Sequence, residues 1–398
     1  MDEAVSAPDP MTAAPLLPLR LPPPRAGGVD VLVIAGEHSG DEHAATMVRG
    51  ALARQPGLRV AALGGPELAA AGAQLLHDLT ATSVVGLWEV LKHYRFFRAL
   101  HGETLRWIAE YRPRAVCFVD YPGLNLRLAA ELREQRLSTP GGGPIRALYY
   151  ISPQIWAWKA HRRFTMARDL DALAVIFPFE VGCYADTRLP VEFVGHPFVA
   201  EGYAAPVRYD PAGPVLLLPG SRRQAVQRIF PALLAGFRAL GERAAVVLYP
   251  SDEIRAVLQA AAPPADVRLQ RLGTPVAAAA VLTSSGTMSM HCALAGIPGA
   301  IAYRAHPLTY LIGRRLVKVP HLGIANLLLQ EPMYPELIQG AATPAALAAE
   351  LRACLHDPAR RERTAAAAAR LQAILRQPAT GTAAEWLLRA LDREKRAF

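Results

Sequence analysis

The sequence predicts an α/β protein made of two doubly wound, parallel-sheet units in tandem, each Rossmann-like, facing a cleft. Three observations carry this. Short, continuously apolar runs such as VLVIA and AVCFV alternate with helical stretches, as strands buried on both faces do. The alternation starts at Val29, pauses over a Pro- and Gly-containing stretch at residues 200–214, and then restarts. Several runs end in a Gly-containing turn that opens a helix, an arrangement that can hold a phosphate or nucleotide. A chain of 398 residues has room for two such domains. With 52% hydrophobic and 19% charged residues it can fill two cores.

Residues 1–28, MDEAVSAPDPMTAAPLLPLRLPPPRAGG, are Pro-rich and begin acidic. They lack the basic start and unbroken apolar core of a signal peptide, so a disordered extension is expected. The first unit is expected over 29–203. VDVLVIAG reads as a buried strand with a Gly turn and a helix from about Asp41; LRVAALGG reads as a second strand. A helical stretch follows from about Val84 to Tyr111, then the strands RAVCFVD, RALYYIS, ALAVIFP and VEFVGHP with helices between them. The second unit is expected over 204–375, with strands in PVLLLPGS, AAVVLYPS, VRLQRL, AAVLTSS and GAIAYR. QAVQRIFPALLAGFRAL is its first helix, and the chain beyond Ala342 is helical. A last helix within 376–398 is expected to pack back on the first unit. Ligands of such sheets sit at the carboxyl ends of the strands, so the cleft between the units is the expected site.

A net charge of +9 suits anionic partners: phosphorylated metabolites, nucleic acid or an acidic membrane surface. Abundant Arg and Ala fit a compositional bias equally well. Nucleic acid has only the charge in its favour, because no binding motif accompanies it. The cysteines at 117, 183, 292 and 354 stand apart with no CxxC spacing. A zinc site or redox pair is therefore not expected, and reduced thiols in a cytosolic protein fit best. No apolar run is long enough to span a bilayer, so any membrane contact is expected to be peripheral.

The sharpest local signal is LLLPGSRRQAVQ. A strand turns at Pro219-Gly220, and Ser221-Arg222-Arg223 precede a helix, where amides and guanidiniums together suit a diphosphate. A surface Arg pair at a helix start is the plain alternative. The turn Ser284-Ser285-Gly286-Thr287 is a second phosphate candidate, or an ordinary helix cap. His291, on the helix after it, reads as a ligand contact or a core histidine. In AGEHSGD, Glu37, Ser39 and Asp41 lie at the first strand-to-helix turn, where carboxylates suit sugar hydroxyls better than phosphate; a helix cap is as good a reading.

Asp120 ends a buried strand in CFVDYPGLN, where burial raises a carboxyl towards general-base range, although an Asp there could equally cap the next helix. YYISPQIWAWKAHRR sets Trp156 and a second tryptophan beside a basic cluster, as for stacking or anionic lipid, or for packing and a solvated face. SVVGLWEVLKHYRFFRAL carries Trp88, Phe96 and Phe97 among Lys and Arg. It reads as a membrane-surface helix or as a core-facing helix with a basic outer side.

Taken together and in order, AGEHSGD, VVGLWEVL, VDYPGLNLRLA, YYISPQIWAWKAHRR, FPFE, FVGHP, LLPGSRR, SSGT, AYRAHPLTYLIGRRLVKVPHLGIANLL and PELIQ resemble the lipid-A-disaccharide synthases from about Val29 to the end. The resemblance implies the GT-B fold and an inverting glycosyl transfer. The donor would be UDP-2,3-diacylglucosamine and the acceptor the 6-hydroxyl of 2,3-diacylglucosamine 1-phosphate, giving a β-1′,6 disaccharide and UDP. It implies Asp120 as the base and Arg222, with Gly220 and Ser221, at the diphosphate, so that neither metal nor cofactor is called for. Glu37 would position substrate, with Ser39, Asn125, Trp156, Trp88, Phe96 and Phe97 on the acceptor or lipid side. Ser285, Gly286, Thr287, His291, Tyr303, Arg304, Asn326, Glu336 and Gln339 would surround the nucleotide. A cytoplasmic protein on the inner-membrane surface is implied, with a homodimer open and no nucleic acid.

Two departures stand out. Gly123 replaces a second acid, and His291 replaces a Glu in the family's SGTxxxE pattern, a position that would accept bonds from the ribose. Other readings are another GT-B enzyme on a UDP-sugar, such as a UDP-N-acetylglucosamine 2-epimerase, or a non-catalytic relative binding lipid or nucleotide.

Overall fold

A computed structural model describes residues 19–25, 27–81, 94–241, 243–306, 310–311 and 319–392. Seven strands form the first sheet: β1 (Val31–Ala35), β2 (Val60–Gly64), β3 (Gln74–Asp78), β4 (Ala115–Val119), β5 (Arg146–Tyr150), β6 (Ala172–Val175) and β7 (Val191–Phe193). Their order is β3-β2-β1-β4-β5-β6-β7, and every pairing is parallel. Every residue of β1, β2 and β4 is buried, because helices cover both faces of the sheet.

A short strand, β8 (Val207–Tyr209), follows within the stretch 200–214, where no strand is expected. After it come β9 (Val215–Leu218), β10 (Ala245–Tyr249), β11 (Val267–Arg271), β12 (Val276–Ala278), β13 (Ala280–Thr283), β14 (Gly299–Tyr303) and β15 (Glu336–Ile338). β8 pairs with β12 alone; the other six form a parallel sheet in the order β11-β10-β9-β13-β14-β15. VRY at β8 alternates with only its first residue buried, too faint a pattern to mark a strand in the sequence.

The helix Arg223–Leu240 buries Val226, Ile229, Phe230, Leu233, Phe237 and Leu240, a stripe at helical spacing against the second sheet. The last helix, Ala383–Asp392, lies on His38–Arg54 of the first unit with Trp386 and Leu387 buried. Arg54 pairs with Glu385 at 2.9 Å and Arg389 with Glu192 at 2.7 Å.

Two expectations are corrected. Residues 19–25 are not loose: Leu21 is buried, its N–H donates to Glu103 (2.8 Å), and Trp107 Nε1 and Gln74 Nε2 donate to the carbonyls of Pro22 and Pro23. Proline has no N–H, but its carbonyl remains an acceptor, and here side chains of the domain take it. The helix Tyr94–Tyr111 packs one side, with Leu100, Thr104, Trp107 and Ile108, on the core, while residues 83–93 of the stretch expected at a membrane surface lie outside the described residues. Phe96 is half-buried against that core and touches the His77 and Phe97 rings, each at 5.7 Å, so its lipid-contact reading gives way to packing. Phe97 is half-buried beside it; Trp88 lies outside the described residues.

Candidate active site

Each sheet reverses its strand order at one place, between β1 and β4 and between β9 and β13. Loops leaving the two strands at such a point diverge and open a crevice. Glu37 follows β1 and Asp120 follows β4; Gly220 to Arg222 follow β9 and Ser284 to Thr287 follow β13. The two crevices meet, because Arg222 Nη2 donates to both carboxylate oxygens of Glu37, at 3.0 and 3.1 Å.

Asp120 and Tyr121 both have left-handed backbones, φ 45° and 49°. That conformation costs a non-glycine residue about 1–2 kcal/mol. Fixed bonds hold it: the Asp120 carbonyl accepts from Tyr149 OH (2.6 Å) and Asn125 Nδ2 (2.8 Å), and its N–H donates to the Tyr150 carbonyl (3.0 Å). The Tyr121 ring covers Gly36, where any Cβ would come within 2.2 Å of it. The bend turns the half-buried Asp120 towards the crevice, and desolvation raises its pKa to about 6. The Glu37 charge pushes the same way, against the Tyr121 N–H and Arg222.

On the other side, Gly220 has φ 110°, and a Cβ there would stand 3.3 Å from Ser284 Oγ. Glycine lets the two turns pack together, and the Ser284 N–H donates to the Leu218 carbonyl at 2.8 Å. Helices Arg223–Leu240 and Thr287–Leu294 start there, and neither has a side-chain cap. Their first N–H groups and the Arg222 guanidinium form a cationic cradle. Ser221, Arg222, Gly286 and Thr287 are exposed, and Ser285 is half-buried. Among the described residues no group of three or more His, Cys, Asp or Glu side chains is placed to hold a metal ion.

His291 is not presented to this cradle, which corrects its ribose reading. Its ring is buried, 3.9 Å from the Phe198 ring and stacked on Tyr203 at 5.8 Å, with Tyr203 OH 3.4 Å from Nε2. His43 and His196 also touch Phe198, at 5.5 and 4.7 Å. Residue 291 falls on the buried side of its helix with Met290 and Ala293, so the side chain enters the junction between the units.

We expect His291→Glu to be less stable by about 1–3 kcal/mol in urea titration, because a carboxyl there lacks solvent and adequate partners. An unchanged midpoint would show that the junction is open. Burial also lowers the pKa of His43, His196 and His291, to about 4, 3 and 4. The unfolded chain then takes up protons first, so stability present above about pH 6.5 falls as pH drops towards 4.

Other expected contacts also prove to be internal ties. Asn125 is fully buried and donates to the carbonyls of Ile34, Val119 and Asp120, so it supports the Asp120 bend instead of touching acceptor. Asn326 is fully buried between Tyr334 and Glu336. Glu336 accepts from the N–H groups of Leu322 and Gly323, at the start of helix Ile324–Leu329. Gln339 bonds both N–H and carbonyl of Ala305, and Arg304 donates to the Ala342 carbonyl (2.7 Å). These four hold the chain around the end of β14; Asn326 is closed to a nucleotide, while Arg304, Glu336 and Gln339 are half-buried. Tyr303 ends β14, half-buried, and Ser39 is half-buried beside Glu37. Asp41 is buried and accepts from Gly65, Glu67 and Leu68 N–H, capping the helix Pro66–Ala70.

Trp156 Nε1 donates to Glu180 Oε1 at 3.2 Å. Glu180 is buried within FPFE, and desolvation raises its carboxyl to about 8. Glu180 lies within the electrostatic reach of Asp120, which nothing in FPFE announces. Tyr149 gives no sign of its role in the sequence, since an aromatic inside a strand does not show that its hydroxyl serves the end of the neighbouring strand β4. Gly123 is exposed, and a Cβ there would meet nothing within 4 Å. Gly123→Asp, in the first turn of helix Pro122–Glu134, is expected to raise stability by about 0.5–1 kcal/mol in a thermal melt. A lower melting temperature would reveal crowding.

Two facing Rossmann-like units with crevices at their switch points define the GT-B class of nucleotide-sugar enzyme. Among solved structures, UDP-GlcNAc 2-epimerase from Neisseria meningitidis superposes with a TM-score of 0.57 at 11% identity, covering 92% of this chain and 100% of that one. The calicheamicin glycosyltransferase does so at 0.52 and 16%, covering 93% and 99%. At such identities the likeness is one of fold. The family model for lipid-A-disaccharide synthetase matches residues 31–388. Lipid-A-disaccharide synthase of Geobacter metallireducens is 37% identical, over 86% of this chain and 92% of that one. The Syntrophus aciditrophicus enzyme of the same name is 39% identical, over 83% and 90%. The chain belongs to the lipid-A-disaccharide synthetase family, and it is a glycosyltransferase.

Proposed function

We propose that the protein transfers 2,3-diacylglucosamine from UDP-2,3-diacylglucosamine to the 6-hydroxyl of 2,3-diacylglucosamine 1-phosphate. The anomeric centre inverts, a β-1′,6 bond forms and UDP leaves. The observation that carries this reading is the half-buried Asp120 carboxyl, its pKa raised, beside the Glu37–Arg222 pair that joins it to a cradle of two uncapped helix N-termini.

In this mechanism Asp120 takes the proton of the acceptor hydroxyl as its oxygen attacks the anomeric carbon. Attack comes from the face opposite the leaving diphosphate, so one base suffices and no glycosyl-enzyme forms. A base with a pKa near 6 is ionised at neutral pH yet more basic than an ordinary carboxylate. Negative charge growing on the diphosphate meets the Arg222 guanidinium and the N–H groups after Gly220 and Gly286. That arrangement supplies the charge neutralisation a metal would otherwise give. The exposed Glu37–Arg222 pair is weak, about 0–1 kcal/mol, so a diphosphate displaces Glu37. The freed carboxylate then stands beside Asp120, where it sustains the raised pKa and can accept from a sugar hydroxyl.

In this reading the acylated substrates call for a peripheral position on the cytoplasmic face of a membrane; among the described residues no helix is long and apolar enough to cross one. Purified protein given both acylated sugars in detergent should release UDP and disaccharide in equal amounts. UDP release without disaccharide, or conversion of a non-acylated UDP-sugar to its epimer, would overturn the assignment.

A further inference from the structure

The proposed transfer brings two anionic groups into one crevice, the diphosphate of the donor and the 1-phosphate of the acceptor. The first has Arg222 and the helix starts after Gly220 and Gly286. Like charges repel, so the second calls for a cation of its own, on the first unit. Arg162 stands in the right place. It opens the helix Arg162–Asp169, on the segment that leaves β5. The fully buried Tyr149 of β5 donates to the Asp120 carbonyl at 2.6 Å, and both Asp120 and Arg162 act electrostatically on its hydroxyl. The Asp120 carboxyl itself is moved by Glu37 and Arg222. Asp120 is therefore flanked by two arginines. Arg222 of the second unit bears on its carboxyl, and Arg162 stands beyond the tyrosine that holds its backbone.

Its chemical state fits as well. Arg162 is half-buried, with Cζ 5.2 Å from the centre of the Trp158 ring. Its neighbours are paired, Arg163 with Asp186 and Arg168 with Asp169, each at 2.7 Å. Among the described residues no carboxylate stands within ion-pair distance of Arg162, and no hydrogen bond engages its guanidinium. A charge partly removed from water without a counterion is unfavourable. A phosphate monoester would satisfy it, because the planar fork of N–H donors matches two phosphate oxygens at once. Reach is also consistent. The 6-hydroxyl and the 1-phosphate hang from the two carbons that flank the ring oxygen of the acceptor. With the hydroxyl at Asp120, the phosphate must fall within one sugar ring of it, beside Tyr149.

We propose that Arg162 receives the 1-phosphate of the acceptor, holding the sugar with its 6-hydroxyl at Asp120 and selecting a phosphorylated acceptor over a neutral one. The inference rests on the proposed function and names the side chain that reads the acceptor. Donor and acceptor are then told apart by which arginine takes their phosphate, Arg222 on the second unit or Arg162 on the first.

The test compares two acceptors, 2,3-diacylglucosamine 1-phosphate and 2,3-diacylglucosamine, dispersed in a non-ionic detergent so that no anionic surface contributes. Wild type should use the phosphorylated acceptor with a kcat/KM about tenfold or more above the neutral one. Arg162→Ala should raise KM for the phosphorylated acceptor about 10–100-fold, the usual loss of charge-assisted hydrogen bonds. On the neutral acceptor the same substitution should change kcat/KM far less, so that the preference collapses, while KM for the donor and UDP affinity stay close to wild type. Arg162→Lys keeps the charge without the fork and should recover part of the preference. A wild-type KM for the phosphorylated acceptor in Arg162→Ala overturns the proposal. So does an equal loss on both acceptors, since Arg162 then supports the crevice and not the phosphate. Should Arg162→Ala melt early, Arg162→Gln, uncharged and closer in length, decides with the same two acceptors. Equilibrium binding of each acceptor with the donor withheld separates this proposal from the function it rests on. Binding that needs both the phosphate and Arg162, without any disaccharide formed by wild type, would sink the proposed reaction and leave the phosphate site standing. Turnover of both acceptors equally well by wild type would do the reverse.

Discussion

Asp120→Asn should lower disaccharide formation by about 10²–10⁴-fold and leave UDP affinity nearly unchanged. The lower bound is the ordinary loss on removing a general base, and the upper bound a well-placed one. The amide keeps the size of the side chain, and the backbone bend is held by Tyr149 and Asn125 through the Asp120 carbonyl rather than through the carboxyl. The change should therefore spare the fold. The wild-type pH profile is a second measurement on the same atom. Its folded-state pKa is about 6, so the base is protonated below that value and kcat/KM should climb through pH 6 to a plateau. Removing the Glu37 charge with Glu37→Gln should move the climb to lower pH, because that charge raises the Asp120 pKa. An Asn variant with wild-type turnover would remove Asp120 from the mechanism. A flat wild-type profile from pH 5 to 8 would mean that another step limits the rate.

Much of this site could be read from sequence because strand ends and Gly turns are local events. VLVIAG, AVCFVD, VLLLPG and AVLTSSG each announce a buried strand and the place where it stops. Parallel-sheet logic then brings those stops to one edge. What sequence could not supply was the direction of a side chain once its helix or loop had packed. His291 stands where the resembled family has a Glu that would contact ribose, yet Phe198 and Tyr203, far from it in sequence, fill the space around its ring. Asn326, Glu336 and Gln339 are nucleotide contacts only by resemblance to the family; their hydrogen bonds go to backbone and, between Asn326 and Glu336, to each other. The basic amphipathic pattern around Phe96 was ambiguous for another reason. A helix with an apolar stripe and a cationic face serves a core or a bilayer equally well, and Trp107 settles residues 94–111 for the core. The linker strand β8 escaped because two-residue alternation over VRY is too short to register.

Arg222→Ala should cut kcat/KM by about 10²–10³-fold, the usual consequence of losing one preorganised donor to a developing anion. Ground-state binding of UDP should weaken as well, by about 1.5–3 kcal/mol for charge-assisted hydrogen bonds, so calorimetry and kinetics should move together. The side chain is well exposed, and Glu37 is its only hydrogen-bonded partner among the described residues. Stability should accordingly change by no more than about 1 kcal/mol. Glu37→Gln provides the contrast. It removes the internal competitor for the guanidinium, so UDP should bind as tightly as to wild type or a few-fold more tightly, while the neighbouring Arg222→Ala binds poorly. Arg222→Lys keeps the charge but loses the planar fork, and should recover only part of the affinity. Unchanged UDP affinity in Arg222→Ala would mean that the diphosphate does not lie in the turn after β9. Weaker UDP binding in Glu37→Gln would mean that Glu37 touches the nucleotide directly instead of waiting, paired to Arg222, for the diphosphate to displace it.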